Sequence, residues 1–220
     1  PKVSYQYDRL SRQVKVSHNG TITARTYNDA GQLLSESYSG GLLDGLALRN
    51  SYDPLFRRTA LEAAYGSPVT DQNPLLTHQV FTYDMASRLE TVSEGDSVVT
   101  YHYLENSPLV GQIDFMNQGV TRMTTTKQYD RLNRLKKIAS VSSETTVASY
   151  EYDYNPANQR VKATLEDGSH WDYGYDALGQ VISGKKKDAQ DIILPAGDFE
   201  YADDDIGNRR SSRADGVQLA

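Results

Sequence analysis

The chain has 220 residues, with 16 tyrosines, 16 glycines, no cysteine, a formal net charge of -6, 38% hydrophobic residues and a mean hydropathy of -0.63. These values exclude a disulfide framework and any cysteine-ligated metal, and the acidic balance argues against a nucleic-acid surface, which needs clustered cations. No apolar run approaches the roughly 20 residues of a membrane span and no signal peptide opens the chain, while Pro1 in place of a methionine reads as a piece of a longer protein.

From residue 1 to about Tyr38 the pattern predicts two β-hairpin units. Tyr7-Asp8-Arg9-Leu10-Ser11-Arg12-Gln13 opens the first and Tyr27-Asn28-Asp29-Ala30-Gly31-Gln32-Leu33 the second. Between them Val14, Val16, Ile22 and Ala24 all fall at even positions around His18-Asn19-Gly20. Alternation then selects a three-residue loop pairing Val16 with Ile22 and Val14 with Ala24, because a one-residue slip sends side chains to opposite faces. Residues 40–48 turn Gly- and Leu-rich before the pattern resumes at Tyr52-Asp53-Pro54-Leu55-Phe56-Arg57-Arg58, where Phe56 requires another turn type or a strained backbone.

Residues 60–82 are the longest gap between copies. Leu61-Glu62-Ala63-Ala64 looks helical in isolation, yet its setting predicts a strand pair with a longer loop at 66–74. Tyr83-Asp84-Met85-Ala86-Ser87-Arg88-Leu89 restores the pattern, and a worn copy runs from Tyr103 to Leu109. Closely spaced units follow at Tyr129-Asp130, Tyr154-Asn155 and Tyr175-Asp176-Ala177-Leu178-Gly179-Gln180-Val181. Within them Glu166-Asp167-Gly168 predicts a three-residue loop with Ala163 opposite Trp171 and Val161 opposite Tyr173. Lys185-Lys186-Lys187 reads as a solvated turn. A second worn copy, Asp203-Asp204-Asp205-Ile206-Gly207-Asn208-Arg209, precedes a polar tail, 211–220, expected to be poorly ordered.

The recurring string defines a turn between strands. Asp or Asn in second place can bond the backbone two residues on, and Gly in fifth place can take positive φ. That describes a type I turn closed by a left-handed residue, with a bulge. The rule also sets each tyrosine opposite the residue six places on: Tyr27 with Leu33, Tyr83 with Leu89, Tyr129 with Leu135, Tyr175 with Val181. Short strands, frequent turns and steps of about 20 to 31 residues between copies predict an all-β fold of tandem antiparallel hairpins in a curved, spiralling sheet, a partial barrel or cocoon wall. No composition shift divides it, so residues 1–210 read as one array.

Chemistry is sparse. His18 falls in a turn, His102 and His170 on strands, and no two of the four histidines stand at metal-ligand spacing. Asp203-Asp204-Asp205 lacks the alternating ligands and closing Glu of a calcium loop, and no nucleophile elbow, phosphate loop or zinc motif occurs. No catalytic residue, cofactor or metal is expected. Asn19-Gly20-Thr21 matches a glycosylation acceptor in three residues only. Trp171 and Tyr173 are the candidates for a glycan-stacking platform, set against covering their own sheet.

The tandem Tyr-Asp-x-x-Gly-x-Val/Leu string, with Tyr5-Gln6-Tyr7-Asp8, Tyr152-Asp153 and Asp204-Asp205-Ile206-Gly207-Asn208-Arg209, resembles the RHS/YD-repeat family from about Tyr5 to Arg210. On that resemblance Tyr7, Asp8, Tyr27, Gly31, Tyr52, Asp53, Tyr83, Asp84, Tyr129, Asp130, Tyr154, Tyr175, Asp176, Gly179 and Gly207 are structural repeat residues. The family implies hairpins wound as a spiral sheet, which in bacterial toxins and Tc complexes closes into a cocoon around a C-terminal toxin, and in teneurins forms a barrel outside animal cells. It implies a secreted or cell-surface bacterial scaffold with an enclosed polypeptide cargo; the alternative read from the residues is carbohydrate binding through Trp171 and Tyr173, and exposed sheet edges invite self-association. The terminal Asp-Pro-x-Gly-Leu-like core signature with its self-cleaving aspartates is not found, so no catalytic residue carries over.

Overall fold

The computed structural model describes residues 2–66, 68–70, 74–143 and 145–219. Among the described residues nineteen strands form an open antiparallel hairpin sheet. They are β1 (Val3–Tyr7), β2 (Gln13–His18), β3 (Thr21–Tyr27), β4 (Leu33–Ser39), β5 (Leu46–Tyr52), β6 (Arg58–Tyr65), β7 (Leu75–Tyr83), β8 (Leu89–Glu94), β9 (Ser97–Tyr103) and β10 (Val110–Asn117), followed by β11 (Val120–Tyr129), β12 (Leu135–Ser142), β13 (Thr145–Tyr154), β14 (Arg160–Leu165), β15 (His170–Tyr175), β16 (Val181–Lys187), β17 (Ile193–Asp203), β18 (Arg209–Ala214) and β19 (Val217–Leu219). One 3₁₀ turn, Gly41–Leu43, is the only helical element among the described residues. Leu61-Glu62-Ala63-Ala64 lies on β6, as the flanking turns require, and pairs with β5 and β7. Part of the loop at 66–74 lies outside the described residues.

Contacts divide the strands into two compact units, residues 1–101 with 115–120, and residues 102–114 with 121–220. In a repeat array each hairpin touches mainly its neighbours, so such a division requires no change of composition. Residues 209–219 pair as a hairpin of the second unit, with Ser212 opposite Leu219 and Ala214 opposite Val217.

Within the second unit, paired residues define two unlike faces. Tyr152–Ala163–Trp171 and Tyr173–Gly184–Phe199 lie on one, joined by a Trp171–Tyr173 stack at 6.3 Å and a Trp171–Phe199 contact at 6.0 Å. The other carries Asp172, Lys185, Lys187 and Asp198, with Lys187 Nζ 2.7 Å from Asp172 and Lys185 Nζ 3.2 Å from Asp198. The three lysines therefore occupy β16 and not a solvated turn: cross-strand carboxylates satisfy two of them. In the first unit Ala47, Ala64 and Val69 form the buried cluster. Among the described residues no large side chain is fully buried, as befits a single-layered sheet.

The loop at Asn19-Gly20 departs from the alternation argument. Lys15 pairs with Ala24, Val16 with Thr23, Ser17 with Ile22 and His18 with Thr21, leaving a two-residue turn with φ 49 at Asn19 and 78 at Gly20. That is the primed hairpin turn, whose twist matches the strands and which Asn-Gly favours. Val16 and Ile22 fall on opposite faces because both faces here are half-buried, so hydrophobicity does not choose the register. At residues 165–169 the three-residue prediction holds: Gly168 has φ 81 and Ala163 faces Trp171.

Candidate functional site: the repeat joint

The eight signature turns share one backbone plan. The second-place N–H donates to the sixth-place carbonyl and the fifth-place N–H returns a bond to the second-place carbonyl: Asp8 with Arg12 and Ser11, Asn28 with Gln32 and Gly31, Asp53 with Arg57 and Phe56, and so on to Asp204 with Asn208 and Gly207. Every fifth-place residue has positive φ, whether Gly31, Gly179 and Gly207 or Ser11, Ser87, Asn133 and Asn158. Phe56 adopts it too, at φ 63, while 64% exposed. Of the two outcomes open at Tyr52, a different turn or a strained one, the structure shows the strained one. A left-handed non-Gly residue costs about 1–2 kcal/mol, partly offset by the greater chain entropy of an unfolded glycine. Phe56→Gly should therefore stabilise the protein by about 1 kcal/mol, read as a raised denaturant midpoint. An unchanged or lowered midpoint would contradict the strain.

Each tyrosine sits opposite the residue six places on: Tyr7–Gln13, Tyr27–Leu33, Tyr52–Arg58, Tyr83–Leu89, Tyr129–Leu135, Tyr154–Arg160 and Tyr175–Val181, with Asp203–Arg209 in the worn copy. Its hydroxyl, which sequence reasoning left unassigned, reaches back to the preceding repeat. It donates to that same seventh-place carbonyl one unit earlier: Tyr27 to Gln13 at 2.9 Å, Tyr52 to Leu33 at 3.0 Å, Tyr83 to Arg58 at 2.8 Å, Tyr154 to Leu135 at 2.7 Å and Tyr175 to Arg160 at 2.7 Å. Tyr129 does the same to Val110, at the end of the longer worn turn.

The sixth place links forward. Arg12 donates to the Asn28 carbonyl, Arg57 to the Ser87 hydroxyl, Arg134 to the Asn158 side chain, Gln32 to the Phe56 carbonyl and Gln180 to the Asp204 carbonyl. Arg12, Arg57 and Arg134 also lie 4.5–5.0 Å over the rings of Tyr27, Tyr83 and Tyr154. One joint thus combines a turn, a backward hydroxyl and a forward guanidinium or amide. The signal was present in the residue types. Where second place is Asp8, Asp53, Asp84 or Asp130 the sixth is Arg, bound at 2.6–2.7 Å; where it is Asn28 or Asn155 the sixth is Gln, bound amide to amide. Lys187-Asp188-Ala189-Gln190-Asp191-Ile192-Ile193 is a further copy that the missing tyrosine concealed, with Lys187 opposite Ile193 and Asp191 at φ 64.

Five of the turn aspartates are shifted in the same direction. Backbone N–H groups of Arg12, Arg57, Arg88 and Asn208, aided by their side chains, hold Asp8, Asp53, Asp84 and Asp204 below the usual carboxylate range. Burial pushes Asp130 up, and the bonds from Arg134 outweigh it. Depressed folded values mean stability that is present above the unfolded pKa of about 3.9 and lost as pH falls through the folded values. Circular dichroism should show unfolding concentrated below about pH 4, with little change between pH 5 and 7.

The histidines do not converge. His18 ends β2; His78 lies 3.8 Å from Glu62; His102 bonds Asp114 at 2.8 Å; His170 is buried on β15, 3.0 Å from Asp191. Trp171 and Tyr173 are half-buried in their stack with Phe199. Beside Tyr173 an open groove of about 440 Å³ is lined by Tyr154, Asn158, Arg160, Tyr175 and Val181.

The fold and its joints define the class: a tandem β-hairpin repeat protein whose successive turns are bonded to one another. A family model described as RHS Repeat matches residues 154–188, spanning the Tyr154 and Tyr175 joints. The chain is 23% identical over 97% of its length to teneurin-4 of Mus musculus and 22% identical over 97% to teneurin-3 of Danio rerio, spanning 9% of each relative. Among solved structures it resembles TcdB2-TccC3-TEV and TcdB2-TccC3-Cdc42, each with a TM-score of 0.58 at 14% and 15% identity over 98% of this chain and 12% of theirs. The match at residues 154–188 and the likeness to these relatives support the resemblance to the RHS/YD-repeat family that the signature copies carry.

Proposed function

We propose that this chain is a non-enzymatic segment of an RHS shell whose work is to wall off a C-terminal toxin or effector, in a secreted or cell-surface bacterial protein. The observation that supports it most is the joint itself: six first-place tyrosine hydroxyls and the sixth-place side chains of Arg12, Gln32, Arg57, Arg134 and Gln180 are engaged with neighbouring repeats, and the strands of the second unit present two faces of different chemistry. Determining the reading frame on both sides of residues 1–220 tests this. Further signature copies and a C-terminal non-repeat domain, protected from added protease in the intact protein, are expected; a frame without such a domain, or a domain digested as fast as when expressed alone, overturns enclosure.

A carbohydrate-binding role competes, supported by the groove beside Tyr173. It predicts saturable changes in the emission of Trp171, the sole tryptophan, on glycan titration. Flat traces across neutral and acidic oligosaccharides remove it.

A further inference from the structure

Arg134, Arg160 and Arg209 of the second unit each lie over an aromatic ring, Arg134 over Tyr154 at 4.5 Å, Arg160 over Tyr152 at 3.8 Å and Arg209 over Tyr201 at 4.0 Å. Two of them are matched by a carboxylate. Arg134 holds Asp130 at 2.6 Å and Arg209 stands 3.3 Å from Asp203, whereas the Arg160 guanidinium has neither a carboxylate nor a hydrogen-bond acceptor among the described residues. Arg160 also lines the groove of about 440 Å³, together with Tyr154, Asn158, Tyr173, Tyr175 and Val181, a set without an acidic side chain. Tyr154 and Tyr175 commit their hydroxyls to the Leu135 and Arg160 carbonyls, and Asn158 Oδ1 accepts from Arg134. The Tyr173 hydroxyl has no partner among the described residues. Burial pushes the Tyr173 phenol up while the positive charge of Arg160 works the other way, so the two groups act on one another across the groove.

An unmatched guanidinium beside a free hydroxyl, with no carboxylate in the lining, is a seat for an anion of carboxylate shape. The groove lies over β13–β16, each paired on both sides within the chain, and aromatic surface continues past it through Trp171 and Phe199. On the opposite face the charges are already matched, Lys187 to Asp172 and Lys185 to Asp198. We propose that the groove at Arg160 seats an Asp or Glu side chain of the enclosed polypeptide, its carboxylate taken by the Arg160 guanidinium and the Tyr173 hydroxyl and its apolar neighbours lying along Trp171 and Phe199. The seat rests on the enclosure reading and names the aromatic face as the one turned to the cargo. One charge-assisted contact on an open face is weak, but a cargo joined to the shell by a linker meets it at an effective concentration of roughly millimolar.

The test is a magnetic-resonance titration of the isotope-labelled full chain with a short capped peptide carrying one Glu between valines, at millimolar concentration. The Arg160 Nε–H signal should shift saturably, and the same peptide with Gln for Glu should bind about 5- to 10-fold more weakly, as loss of a charge-assisted bond does. Arg160→Gln should erase that difference with the circular dichroism unchanged, because Tyr175 uses only the backbone carbonyl of residue 160. Arg58→Gln, which removes the guanidinium over Phe81 in the first unit, should leave the difference intact. Equal binding of the two peptides, binding of neither, or a Glu preference that survives Arg160→Gln would overturn the proposal. Displacement of the Glu peptide by equimolar galacturonate would give the groove to a glycan, and displacement by equimolar acetate would give it to any small anion; either result overturns the polypeptide seat. Enclosure is decided separately by the reading frame and by protease protection. Flat titrations beside a protected C-terminal domain therefore remove the Arg160 seat alone, and a frame without such a domain removes both.

Discussion

Gly40→Ala should destabilise the first unit by about 3 kcal/mol, while Gly31→Ala costs only about 1 kcal/mol, although both glycines have positive φ. Gly40 stands at φ 71 and ψ 154, a backbone region almost confined to glycine, where strain alone costs about 1–3 kcal/mol. A Cβ there would also collide with the Gly20 carbonyl oxygen and stand 3.2 Å from its carbon and 3.5 Å from the Thr21 Cα. Those atoms belong to the tight turn between β2 and β3, so overpacking adds a comparable amount. Gly31 at φ 82 meets nothing within 4 Å of a built Cβ and bears the left-handed penalty alone. Denaturant unfolding followed by circular dichroism distinguishes the two. Tryptophan emission serves as a control, because Trp171 lies in the other unit. Equal losses for both variants would show that contact with the Gly20 turn does not matter.

Trp171→Ala should cost the second unit about 2 kcal/mol. Complete removal of a buried aromatic costs about 3–5 kcal/mol, and this ring is only half-buried. Its losses are specific: the stack on Tyr173, the contact with Phe199, and the ring's seat against Gly184, where a Cβ would stand 3.8 Å away. Trp171→Phe should retain most of the stability. A thermal melt of both variants decides whether the aromatic cluster is this sheet's own packing. If Trp171→Ala leaves the melting temperature unchanged, the ring is free for a ligand.

The pairing of each tyrosine with the seventh place was legible because turn chemistry is local: an Asx side chain and a left-handed fifth residue fix loop length within seven residues. Val16 and Ile22 were misplaced because hydrophobic alternation presumes one wet face and one dry one. This sheet has two half-buried faces, so Asn19-Gly20 turn preference decides the register instead. Lys185–Lys187 misled for a related reason. Consecutive lysines look like a turn until the partners of β16 supply Asp172 and Asp198. The tyrosine hydroxyls and the Arg12, Arg57 and Arg134 contacts span 14 to 30 residues. No local rule reaches that far, although the Asp–Arg and Asn–Gln correspondence already showed that second and sixth places act as a pair.

The backward hydroxyl also has a mechanical meaning. Each joint fastens a hairpin to the one before it, so a load applied across the strands falls on one tyrosine and one ladder of backbone bonds at a time, never on the array together. Pulled from an end, such a sheet tears like a zipper, tooth by tooth and at modest force. Pulled along the strands, it must shear many bonds at once and resists.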